Sequence, residues 1–156
     1  YHVADLLTDV LSNSDSARLE RVLVKEKHLF VEIDAYVLGF LDPGQLIIEG
    51  KLAEGVSFDQ AEKALDEVLE DLLEKGVTDR EMQRIRNQAA TQVAFQNVGL
   101  FNRAYQLSFF NMLGNPRLID EELSAILAVD ADTLRDRAQT WLQPQRCASV
   151  YYERKV

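Results

Sequence analysis

The chain has 156 residues, 26 acidic against 17 basic for a formal charge of −9 at pH 7, and 47% of its residues are hydrophobic. One globular domain of this size buries about 70% of its unfolded surface without metals or disulfides, which excludes disordered, collagen-like and low-complexity readings. The acidic balance disfavours nucleic acid and anionic membrane surfaces, no apolar run approaches the ~20 residues of a membrane span, and the lone Cys147 excludes an internal disulfide or a cysteine-rich zinc site.

The chain opens at Tyr1 inside a helical pattern with no initiator Met or signal peptide, as expected of a soluble segment taken from something longer. Val3, Leu6, Leu7, Val10 and Leu11 recur at helical spacing and predict an amphipathic helix over 1–11, with Asp5, Thr8 and Asp9 on its polar side. The polar cluster from Ser12 to Ser16 suits a helix end, a turn and a cap, and a second helix over 16–25 is predicted to bury Leu19, Val22 and Leu23. After His28 the period changes to two. A strand over 29–41 is expected to turn Leu29, Val31, Ile33, Ala35 and Val37 to the core and Glu32 and Asp34 to water. Asp42-Pro43-Gly44 supplies a turn, and a strand over 45–52 completes a hairpin.

Ser57 to Gln60 forms a capping box, with Val56 placed to staple against Ala61, and opens a helix that runs to about Lys75 and stops at Gly76. Its predicted buried stripe is Phe58, Ala61, Leu65, Val68, Leu69 and Leu72. A second box, Thr78 to Glu81 with Val77 against Met82, opens the longest helical stretch, which reaches about Phe110 with a kink or break at Gly99. Gly114-Asn115-Pro116 stops it, helices follow over 118–127 and 130–142, the latter capped by Asp130, and 148–152 reads as a final strand. The fold class is therefore α+β: a single domain over 1–156, with helices packed on a small, mainly antiparallel sheet.

Residue chemistry points to no self-contained active site. His2 reads as a surface residue, and His28 as a helix-terminal residue whose cation suits the dipole. Glu26 and Glu32 lie nearest His28, but neither H-x-x-E-H nor H-E-x-x-H occurs. Cys147 reads as a buried structural thiol, and capping accounts for Ser12, Ser14 and Ser16. The acidic pairs Asp66 with Glu70 and Asp120 with Glu121 fall on polar helix faces, and the aromatics Phe95, Phe101, Tyr105, Phe109 and Phe110 read as core packing.

Several stretches together resemble the pitrilysin/insulinase metallopeptidases. Tyr1 to Leu11 followed by Asn13 to Leu19 is similar to that family's "A-x-x-L-L-x-x-x-L … S-S-R-L". Leu23 to Val31 is similar to its "L-R/V-E-x-K-x-L-A-Y" passage into a long hairpin, and Gly76-Val77-Thr78 with Glu81, Arg86 and Asn87 to its "G-V-T-x-x-E-L … K/R-N". The family pairs homologous domains into a clamshell around an unfolded peptide, and one domain type binds zinc through H-x-x-E-H and a downstream Glu. That ligand set is absent here, so the resemblance is to the C-terminal, inactive domain, with no metal and no catalytic residue in this segment and zinc in the companion domain.

In some members this domain offers substrate an Arg and, seven residues on, a Tyr; the resemblance places Val24 and Val31 at those positions, with Lys25 and His28 as chamber-lining candidates. It implies three partners: the upstream zinc-bearing domain of the same chain, a homologous second subunit or repeat that supplies the Arg and Tyr, and a peptide substrate. The alternative it leaves is a non-enzymatic assembly scaffold of the same fold, as in the core subunits of the respiratory bc1 complex. Because the family's domain opens with a strand, the sheet is also expected to lack its first member and to leave an exposed edge.

Overall fold

A computed structural model of the chain describes residues 1–39, 44–96 and 98–153. In chain order the elements are α1 (His2–Leu11), a π-helix (Glu20–Glu26), β1 (Phe30–Leu38), β2 (Gln45–Leu52), α2 (Phe58–Lys75), α3 (Asp79–Gln96), α4 (Leu100–Met112), α5 (Leu118–Leu127) and α6 (Ala131–Trp141), then a short 3₁₀ turn at Pro144–Arg146. The α+β expectation holds. The sheet among the described residues is the antiparallel pair β1–β2, and Asp42-Pro43 of the expected turn lies outside them.

α1 is the hub of the packing, touching β1 and also α3, α5 and α6. Leu6, Leu7, Val10 and Leu11 are fully buried, each burial contributing about 1.5–3 kcal/mol. Surrounded in this way, the helix buries its polar side too. Thr8 and Asp9 are buried rather than wet, the Thr8 hydroxyl donating to the Asp5 carbonyl at 2.7 Å and the Asn13 amide to Asp9 Oδ1 at 2.9 Å. Ser12 also does more than cap. Its buried hydroxyl donates to the Ala35 carbonyl and accepts from the Ala35 amide, both at 2.9 Å, so α1 satisfies the backbone of β1 where a neighbouring strand otherwise would.

The second helical segment is a π-helix at Glu20–Glu26, not the expected α-helix over 16–25. Leu19 and Leu23 are buried as expected and Val22 is half-buried, while the Lys27 amide reaches back five residues to the Val22 carbonyl at 2.9 Å. β1 departs from the expected alternation at one point. Phe30 pairs with Leu52 and Glu32 with Lys51, which leaves Val31 as an extra, unpaired residue: a β-bulge. The bulge reverses the phase of the strand's first residues, so that Phe30 is buried and Val31 is 57% exposed, and Ile33 and Ala35 then point inward as expected. Gly50 on β2 accommodates the displaced ring, since a Cβ there would stand 2.7 Å from Phe30 Cδ1.

The helix boundaries follow the capping signals. Ser57 Oγ accepts from the Gln60 amide at 3.3 Å, and Gly76 ends α2 with φ of 70°. Of the stripe expected for α2, Ala61, Val68 and Leu72 are buried with Ala64, and Phe58, Leu65 and Leu69 are half-buried. Thr78 and Glu81 form a complete capping box: the Glu81 carboxylate accepts from the Thr78 amide at 2.8 Å, and Thr78 Oγ1 accepts from the Glu81 amide at 3.3 Å. The long stretch breaks at Gly99, the N-cap of α4, and Asp130 caps α6 through the Thr133 amide at 2.7 Å.

The tail and the aromatics correct three further expectations. Residues 148–152 form no strand; Ser149 and Tyr151 instead donate to the Glu62 carboxylate of α2 at 2.9 and 2.8 Å, and the Tyr151 ring lies 4.9 Å from that of Phe58. A β pattern becomes a strand only against an edge, and the tail is held on a helix. Cys147 is on that tail and is therefore exposed, not buried. Of the five aromatics expected in the core only Phe110 is buried, because α4 packs chiefly against α5 and leaves its other face open.

Candidate functional site

Val24, Lys25, His28 and Val31 lie within eight residues where the π-helix passes into β1. The passage is made by His28 with φ of 52°, a left-handed conformation that ends the helix, and the Leu29 amide closes it on the Leu23 carbonyl at 2.9 Å. Val24, within the π-helix, is half-buried and packs on the core; Val31, on the bulge, faces water. Val24 and Val31 thus fall on the two irregular parts of this region, where a backbone re-aims its side chains. Here those side chains are isopropyl groups, which neither donate nor accept a hydrogen bond.

Lys25 is exposed and already engaged, its ammonium donating to the Asp15 carbonyl at 3.0 Å and pairing with the Asp15 carboxylate at 3.2 Å. Beside it, Asn13, Ser14, Asp15, Glu20, Ile33 and Asp34 line an open depression of about 240 Å³. His28 is exposed, and Lys27 is ion-paired to Glu67 of α2. His2, expected at the surface, is half-buried beside Tyr1 in α1, and burial lowers its pKa against the opposing pull of Glu122. The two histidines are therefore on separate elements, and no group of three His, Cys, Asp or Glu among the described residues could hold a metal ion.

A residue without an assigned role in the sequence reading organises the centre of the fold. Arg18, 5% exposed, donates from Nε to Glu81 Oε1 at 2.7 Å and from one terminal nitrogen to Glu81 Oε2 at 2.9 Å. The same nitrogen donates to the Gly76 carbonyl at 2.7 Å, and the other reaches Asp71 at 3.3 Å. Burial by itself raises the Glu81 carboxyl, but the Arg18 fork and the Thr78 hydroxyl and amide overcome it and hold the group down at about 2. One guanidinium thus ties the start of the second helical segment to the α2–α3 junction. Ala17 and Leu19 on either side of it are fully buried, and a charge held there is tolerated only when paired. Arg84 makes a second tie, donating to the Asp9 carbonyl at 2.9 Å and to Ser14 Oγ.

The described residues thus form an α+β domain, a helix-wrapped hairpin, with Val24 on the π-helix, Val31 on the bulge and Gly76 to Glu81 at the α2–α3 junction. The chain belongs to the peptidase M16 inactive-domain family, whose model matches residues 1–89. Two similar solved structures are each described as from a "putative zinc protease". One, from Bordetella pertussis Tohama I, superposes with a TM-score of 0.80 at 24% identity, over 94% of this chain and 81% of that one. The other, the inactive peptidase domain from Bordetella parapertussis, gives 0.83 at 23%, over 94% and 79%. A protease from Helicobacter pylori gives 0.82 at 16%, over 93% of this chain but 35% of its own. At these identities the likeness establishes the fold. No significant match is found among curated proteins.

Proposed function

We propose that the chain is the non-catalytic domain of a pitrilysin-like zinc metalloendopeptidase, where it helps to enclose unfolded peptide and docks the zinc-bearing domain. The observation that carries this reading is the match of residues 1–89 to the peptidase M16 inactive domain. The Helicobacter pylori protease, nearly three times as long as the stretch it shares with this chain, supports a setting with further domains. In this reading the full-length protein is the zinc metallopeptidase, the ion belongs to the companion domain, and the Arg and Tyr come from a homologous second subunit or repeat. No helix among the described residues is long and apolar enough to cross a membrane.

The test is zinc content and peptide cleavage by the pure chain beside the full-length polypeptide. The chain alone is expected to hold no stoichiometric zinc and to cleave nothing; chelator-sensitive cleavage by the chain alone would overturn the reading. Val24 and Val31, neither of which can hold a scissile carbonyl, fit equally well a second reading, the assembly scaffold. The residues upstream of Tyr1 separate the two: H-x-x-E-H with a downstream Glu supports the peptidase, and a lost ligand set supports the scaffold.

A further inference from the structure

α4 buries Phe110 and packs against α5, but Phe101, Tyr105, Phe109 and Met112, spaced i, i+4, i+8 and i+11, form one stripe that faces water. Phe101 is 81% exposed and Tyr105 64%. The charge map isolates the same region. Residues 82–119 contain four arginines and no carboxylate, whereas the other 118 residues hold 26 acidic and 13 basic side chains, a net −13.

We propose that this stripe is a self-association face, on which two copies of the chain dock α4 against α4 about a two-fold axis perpendicular to the helices. Two molecules of charge −9 repel one another, and this carboxylate-free stretch is where they meet without setting carboxylates face to face. The stripe follows an i±4 ridge, the surface with which helices commonly interlock, and two-fold symmetry makes every contact twice.

The charges around the stripe select the antiparallel arrangement. α4 has no acidic residue in its first turn and no basic residue in its last, so both ends of its dipole are uncompensated, and an antiparallel copy places opposite ends side by side. Exposed Arg103 stands near the N-terminal end of α4. At the C-terminal end the chain turns through Asn115, whose amide donates to the Phe110 carbonyl at 3.1 Å, into α5, whose first turn carries exposed Asp120 and Glu121. Antiparallel docking therefore carries Arg103 of each copy toward Asp120 and Glu121 of the other. Closing the contact covers the stripe on both molecules and leaves no second copy of it free, so assembly stops at two.

Sedimentation velocity of the chain from low to high micromolar concentration tests this. The 17.7 kDa species is expected to give way to one of twice that mass. Phe101→Glu should weaken association at least about tenfold with an unchanged far-ultraviolet circular dichroism spectrum, since the side chain is exposed. Arg103→Glu should weaken it a few-fold, and adding Glu121→Arg to that variant should recover the loss. Should Phe101→Glu alter the spectrum, Tyr105→Ser is the second probe of the stripe. A single-copy mass at every concentration overturns the proposal and leaves the face to another domain or protein. So does a dimer insensitive to these substitutions, which places the contact elsewhere, or open-ended growth, which makes it head-to-tail. The test involves neither metal nor substrate, so its failure is distinct from failure of the peptidase reading.

Discussion

Arg18 and Glu81 stand 63 residues apart in sequence and form a two-pronged ion pair with the guanidinium almost wholly inside. Removing Arg18 leaves the half-buried Glu81 carboxylate with the Thr78 donors alone and takes the guanidinium from the Gly76 carbonyl, so Arg18→Ala is expected to cost about 1.5–3 kcal/mol in urea unfolding. The pair also sets an acid limb. The Glu81 carboxyl takes up its proton near 4.5 in the unfolded chain but only at about 2 in the folded one. Its contribution is therefore fully present above about 4.5 and is lost as pH falls toward about 2. Glu81→Gln should accordingly be less stable than the parent at pH 7, with the difference shrinking through that window; equal acid slopes for both proteins would show that the pair does not govern it. The "S-S-R-L" likeness covers the segment holding Arg18, but pairing across 63 residues is tertiary information that no local pattern carries.

At the scale of elements, the bulge makes a sharp contrast between neighbours that look alike in sequence. Val31→Ala should change stability by less than about 0.5 kcal/mol, because the side chain is largely in water, whereas Ile33→Ala should cost about 2–5 kcal/mol. Thermal unfolding of the two variants side by side measures this; similar losses would mean that β1 runs unbroken. Element boundaries were legible because their causes are local: Ser57, Thr78 and Asp130 cap by bonding amides three residues on, and Gly76 and Gly99 sit at the helix ends where expected. What was not legible depends on partners. The phase of Val31 follows from the pairing of its neighbours Phe30 and Glu32 with Leu52 and Lys51, the tail at 148–152 has the composition of a strand but lies on α2, and the open face of α4 follows from what packs beside it. Val24 and Val31 are legible as candidates only through resemblance, since an aliphatic side chain advertises no chemistry.

The whole molecule combines a strong net charge with an open aromatic face. At neutral pH the charge of −9 opposes aggregation, but it vanishes near the isoelectric point of 4.7, where nothing keeps apolar surfaces apart. Solubility measured across pH should have its minimum close to that value, and a minimum well away from it would mean that net charge does not govern precipitation.

The π-helix and the bulge each spend one residue more than regular structure requires, and this makes the stretch from Glu20 to Ile33 unusually forgiving of lost length. With Val31 deleted, Phe30 would stand directly before Glu32, opposite Leu52 and Lys51 in an unbroken ladder, with inward and outward positions still alternating into Ile33. A deletion further along β1 would flip its later residues to the wrong side. A chain shortened by that one valine is thus a conservative relative of this one, and it is the form in which a shorter homologue would be expected to keep the same core.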